Sequence, residues 1–119
     1  MAKKLAATQA SPPEPVSDPP RIHAATLGSQ GRVIRGPEIT ETEAADERQA
    51  GRDIVVCGDD QKANRRRANR VEKAVGPCKR QDPHRSAGPY ALPHFQQETP
   101  PPEGHSFYET THRKAAKNP

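Results

Sequence analysis

The stretch Gly51-Arg52-Asp53-Ile54-Val55-Val56-Cys57-Gly58-Asp59-Asp60 decides how the chain is read. Asp53 to Cys57 is a β-branched run between glycines, the pattern of a short buried strand, and it is too short for a helix. Asp59 or Asp60 can then cap a helix over residues 61–75, QKANRRRANRVEKAV, and Gly76-Pro77 supplies the stop. Asn64, Ala68, Val71 and Val75 recur at spacings of four, three and four, a narrow apolar seam that can lie on the strand. Arg65, Arg66, Arg70 and Lys73 fall largely on the wetter faces.

Outward from this strand and helix, periodicity fades. Residues 77–104 carry Pro77, Pro83, Pro89, Pro93 and Pro100 to Pro102, so a long irregular loop is expected until Gly104-His105-Ser106-Phe107-Tyr108-Glu109, the second strand candidate. On the other side, residues 10–20 hold five prolines in eleven positions, a linker composition. Residues 21–50 have a brief apolar patch around Val33 and Ile34. ITETEAADERQA follows, which can form a transient acidic helix but has no apolar stripe wide enough to dock. The expected fold is therefore α+β: a short strand, a basic helix, a long Pro/His-rich loop and a C-terminal strand at residues 51–112. A disordered Pro-rich and acidic linker at 1–50 precedes it and a disordered tail at 113–119 follows.

Composition sets the scale. With 119 residues, 14 prolines, no tryptophan, two Phe, two Tyr and 30% hydrophobic residues, one small core is the most the chain supports, and part of it is expected to be unfolded or ordered by a partner. No segment approaches the roughly 20 apolar residues of a membrane span. The N-terminal MAKKLAATQASPP lacks the apolar region of about 7–15 residues that a Sec signal needs. Cys57, inside an apolar run, reads as a buried free thiol rather than half of a disulfide with Cys78.

Charge divides unevenly. Residues 1–50 carry six Lys/Arg against seven Asp/Glu, whereas residues 51–119 carry thirteen against eight. Between Lys62 and Arg80, eight basic residues (Lys62, Arg65, Arg66, Arg67, Arg70, Lys73, Lys79 and Arg80) face a single Glu72. A net charge of +7 over nineteen residues exceeds what solubility needs and favours a phosphate track or an acidic protein partner. Tyr90, Phe95, Phe107 and Tyr108, which can stack on bases or form the core, share the histidine-bearing segment.

Three histidines there follow residues that restrict or free the backbone: Asp82-Pro83-His84, Leu92-Pro93-His94 and Gly104-His105. Attack of an RNA 2′-hydroxyl on the adjacent phosphate needs a base, an acid and a cation for the oxyanion, which two histidines and an arginine provide without a metal or other cofactor. His94, His105 and His84 are the candidate catalytic histidines, and Arg85, beside His84, is the candidate oxyanion cation. Cys78, His84, His94 and His105 are also four possible zinc ligands, but their spacings of 6, 10 and 11 match no compact zinc pattern.

Taken together, Gly51-Arg52-Asp53-Ile54-Val55-Val56, the Ala63-Asn64 and Ala68-Asn69 helix, Gly88-Pro89-Tyr90-Ala91-Leu92-Pro93-His94-Phe95 and Gly104-His105-Ser106-Phe107-Tyr108 resemble the C-terminal toxin tips of bacterial polymorphic toxins, carried by Rhs-type and other contact-delivered proteins. The resemblance covers about residues 51–110, with His94 and His105 at its motif positions and His84 matching less firmly. Gln96 and Gln97 stand after Phe95 where many relatives place further histidines. The resemblance implies a small metal-independent RNase, secreted on a larger carrier and delivered into the cytoplasm of a competing cell. A cognate acidic immunity protein would neutralise it in the producer. The alternative is a non-enzymatic basic module that binds nucleic acid or an acidic partner.

Overall fold

A computed structural model describes residues 19–83 and 90–117. It shows a small α+β domain built on one mixed sheet. The elements in chain order are β1 (Arg21–Leu27), β2 (Val33–Ile39), α1 (Glu41–Gln49), β3 (Asp53–Cys57), α2 (Gln61–Lys73), β4 (Cys78–Gln81), β5 (His94–Gln97), β6 (Ser106–Tyr108) and β7 (Ala116–Lys117). In space the strands run β4-β5-β6-β3-β1-β2-β7. The β3–β6 and β2–β7 pairs are parallel and the others antiparallel.

The β-branched run predicted as a strand is the centre of the sheet. Ile54 and Val56 join Ile22, Ala44, Ala68, Val71, Phe95 and Tyr108 in a core under the two helices. Val55 and Cys57 point the other way and pack with Ala25, Val33, Leu92 and Phe107. A strand buried on both faces reads as an unbroken apolar run, which is why it was legible. Helix α2 forms where expected, with Asp60 Oδ1 accepting from Ala63 N at 3.2 Å. Asn64, Ala68 and Val71 are buried on its seam, but Glu72 rather than Val75 completes it. The C-terminal strand also stands, at Ser106–Tyr108.

The domain boundaries need correcting on both sides. Residues 21–50, expected to be a disordered linker, supply β1, β2 and α1. Strand β1 sits between β3 and β2, so the sheet is continuous only through this segment. Its alternation is broken by a register shift between His23 and Ala25, which hides the period of two. Helix α1 has a capping box: Thr40 Oγ1 accepts from Glu43 N at 3.1 Å, and Glu43 Oε1 accepts from Thr40 N at 2.8 Å. It docks without an apolar stripe, through Ala44 and through Arg48, whose charge is cancelled inside the core. Residues 113–117, expected to be a tail, fold back as well. Arg113 Nη1 donates to Ala91 O at 2.7 Å, Ala115 N donates to the buried Glu109 carboxylate at 2.8 Å, and β7 pairs with β2. The proline-rich stretch 77–104, expected to be irregular, contains β4 and β5. Residues 1–18 lie outside the described residues.

A buried ionic network ties helices to sheet. Arg48 and Glu72, both fully buried, form a two-pronged pair at 2.8 and 3.1 Å. Glu72 also accepts from Ser106 Oγ at 2.7 Å and from Gln97 Nε2. Arg48 Nη1 donates to the carbonyls of Arg52 and Glu103, both at 2.8 Å. Each of those carbonyls lies just ahead of a residue of the site described next.

Candidate active site

Alternation along the strands sorts the site from the core. On β5, Phe95 and Gln97 turn toward the helices, so His94 and Gln96 face the opposite side. On β6, Ser106 and Tyr108 turn toward the helices and Phe107 away. His94 is the cross-strand partner of Phe107. The result is a histidine pair on the face opposite α1 and α2: His94 and His105 lie edge to face with ring centroids 4.7 Å apart, and Phe107 is 5.3 Å from the first and 5.0 Å from the second.

Each ring is held by its neighbours. Asp53, the first residue of β3, accepts at Oδ1 from the His105 backbone N–H at 2.8 Å and stands 3.0 Å from His105 Nδ1. With Nδ1 engaged by Asp53, Nε2 is the ring nitrogen left for other partners. His94 Nε2 lies 3.1 Å from Gln96 Oε1, and Nδ1 lies 3.4 Å from Leu92 O. Burial pushes the His94 imidazole below its ordinary value, and the neighbouring His105 ring lowers it further. Asp53 contacts His105 directly, whereas among the described residues no carboxylate hydrogen-bonds His94.

The approach to His105 depends on Gly104, as the Gly-His dipeptide predicts. Gly104 has φ +98°, and a Cβ there would fall 2.5 Å from Arg48 Nη1 and 2.9 Å from Gly51 O. A cleft of about 90 Å³ opens beside His105, lined also by Gln96, Gln97, Pro100, Pro102, Glu103 and Gly104.

Of the predicted catalytic set, the structure brings His94 and His105 together, and His84 and Arg85 lie outside the described residues. The basic residues scatter. Helix α2 covers the face opposite the histidines, so Lys62, Arg65, Arg66, Arg67, Arg70 and Lys73 are separated from the pair by the sheet. Arg67 and Arg70 are committed to Glu41 at the start of α1, at 2.7 and 2.9 Å, and the Arg70 hydrogen bonds hold that carboxyl below the usual range. Arg80 pairs with Asp82 at 2.6 Å. Lys79 is different: it is the cross-strand partner of Gln96 and therefore projects from the histidine face. Cys78 pairs with Gln97 on the helix side and reaches Asn69 at 3.5 Å, so it does not join His94 and His105 as a fourth zinc ligand would have to. Cys57 is a buried free thiol, pushed up to about 12 chiefly by burial.

Three members of the site escaped the sequence reading: Asp53, Gln96 and Phe107 in its supporting role. Asp53 carried a signal, a carboxylate opening an otherwise apolar strand, but its partner is 52 residues away. No protein family, curated protein or solved structure matches the chain. Among the described residues no helix is long and apolar enough to cross a membrane.

Proposed function

We propose that this domain is a ribonuclease that cleaves RNA by acid–base catalysis at His94 and His105. The reading rests above all on the edge-to-face histidine pair at 4.7 Å, with one ring pushed below its ordinary value by burial and the other backed by Asp53. His94 takes the proton from a 2′-hydroxyl as its oxygen attacks phosphorus. His105 gives its Nε2 proton to the departing 5′-oxygen as the P–O bond breaks, leaving a 2′,3′-cyclic phosphate and a 5′-hydroxyl. Lys79, on the same face, supplies positive charge for the pentavalent oxyanion in place of the α2 residues. Neither proton transfer calls for a metal. In keeping with the sequence resemblance, the domain acts as a toxin tip delivered into a competing cell and held in check by an acidic immunity protein.

The decisive experiment incubates the purified protein with total RNA, with and without EDTA, beside His94→Ala and His105→Ala. Chelator-resistant cleavage lost by about 10²-fold or more in each variant is expected, the range general acid–base catalysis contributes. Variants as active as the parent would dismiss this site. A second reading, a non-enzymatic polyanion-binding module, draws on Lys62, Arg65, Arg66 and Lys73, which are exposed and have no carboxylate partner among the described residues. It predicts salt-sensitive binding and intact RNA.

A further inference from the structure

We infer that Tyr90 and Arg32 form a nucleobase-stacking subsite beside the histidine pair, binding a base of single-stranded RNA next to the cleaved phosphodiester. The inference rests on the ribonuclease reading and names how its substrate is gripped.

Phe95, Phe107 and Tyr108 are buried in the two cores, whereas Tyr90 is 44% exposed. Its position is nevertheless fixed, because Ala91, Leu92 and Pro93, which follow it, are buried, and Ala91 O is held by Arg113. The Arg32 guanidinium lies over the Tyr90 ring, 4.4 Å from its centroid. A rigid ring layered with a planar cation offers a stacking surface that any base can meet, and the cation adds attraction for the flanking phosphate.

The placement matches the chemistry. Ala25 pairs with both Asp53 and Arg35, and the hairpin tip carrying Arg32 extends past that row, at the end of the sheet where Asp53 meets His105. Tyr90 precedes His94 by four residues, at most about 14 Å of extended chain. This is within reach of a few nucleotides of an extended strand. Leu27, the other exposed large apolar side chain among the described residues, pairs with Val33, the neighbour of Arg32, and widens the apolar surface at the same tip.

The chain contains no tryptophan, so Tyr90→Trp gives a single indole reporter. The probe is a short 2′-O-methyl oligoribonucleotide, which lacks the attacking hydroxyl, compared with the same strand made abasic. The base-bearing strand should quench the indole saturably. Tyr90→Ala should weaken its binding about tenfold, while Tyr90→Phe stays within about twofold, because the ring rather than the hydroxyl stacks. The abasic strand should bind the parent and Tyr90→Ala equally. Equal affinity of the parent for both strands, or undiminished binding by Tyr90→Ala with unchanged circular dichroism, would overturn the subsite. Base-dependent quenching with RNA left uncut would remove the nuclease and keep the subsite. RNA cleavage with kcat/KM indifferent to Tyr90→Ala would do the reverse.

Discussion

Replacing Arg48 by methionine should strip the domain of a large part of its stability. Arg48 makes four hydrogen bonds, two to Glu72 and one each to the carbonyls of Arg52 and Glu103, and both members of the ion pair are fully buried. Methionine keeps much of the volume but leaves the Glu72 carboxylate in the core with only Ser106 and Gln97 as donors. Breaking a buried pair from one side costs about 3–5 kcal/mol, because the surviving charge keeps its desolvation penalty without its partner. The two orphaned carbonyls are only part-buried, so water recovers some of their loss. A net loss of about 4 kcal/mol follows, against a total of about 5–15 kcal/mol for a domain of this kind.

Urea unfolding followed by far-ultraviolet circular dichroism would measure it, with Glu72→Met and the double variant completing a cycle. Removing both charges together should be less damaging than the sum of the single losses, by a coupling of about 2–3 kcal/mol. Additive single losses, or an Arg48→Met midpoint within about 1 kcal/mol of the parent, would mean that α1 does not dock on α2 through this pair. The linker expectation for residues 21–50 would then regain its footing.

The same architecture predicts that a fragment beginning at Gly51 will not fold, since it lacks Ile22, Ala44, Arg48 and the strand between β3 and β2; a heteronuclear NMR spectrum with native dispersion from that fragment would contradict the sheet order. Because His94 sits below its ordinary value in the fold, the unfolded chain takes up that proton first as pH falls. Stability present above about pH 6.5 should decline toward the folded value, which denaturant midpoints across pH would show, while His94→Gln should flatten this dependence. For the same reason the acid limb of the RNA-cleavage profile, where the base form of His94 is lost, should lie below the usual imidazole range. A thiol reagent at mildly alkaline pH should label Cys78 well before Cys57, whose thiol burial raises to about 12, and equal rates in native protein would argue against the β3 core position.

What the sequence disclosed followed local physics. Asp53–Cys57 and α2 were legible because one is buried on both faces and the other has a cap, a seam and a stop between Asp60 and Pro77. Strand β1 was not, because the register shift at His23/Ala25 breaks the alternation, and two of its four apolar positions are alanine. Helix α1 is expected from the sequence only as a transient, undocked helix, for want of an apolar stripe, yet it docks through Ala44 and Arg48. No pattern on α1 alone can show that Arg48 meets Glu72 twenty-four residues on. The histidine pair was foreseen from Pro93-His94 and Gly104-His105, whereas Asp53 was hidden by distance along the chain.

The sheet explains why charge and chemistry occupy different faces. A histidine that must exchange protons needs a position shielded enough to tune it and open enough to admit a phosphate. The face under α1 and α2 fails the second condition, since Val71, Phe95 and Tyr108 close it completely. Among the described residues, the opposite face is covered by the connecting segments around Leu92 and Ala115. Its Asp53–His105 end stays partly open, with the His105 side chain 32% and Asp53 17% exposed. The Arg48 network, on the closed face, grips the backbone just ahead of Asp53 and of Gly104-His105, and holds Gln97 and Ser106 beside His94 and His105. The α2 cations then divide by use. Arg67 and Arg70 fasten α1 through Glu41. Lys62, Arg65, Arg66 and Lys73 remain on a surface that a polyanion reaches only from the other side of the sheet. On the proposed ribonuclease reading, a single RNA strand seated at His94 and His105 would be gripped by Lys79, Arg32 and Tyr90, and most of the charge on α2 would lie away from the phosphate it cuts.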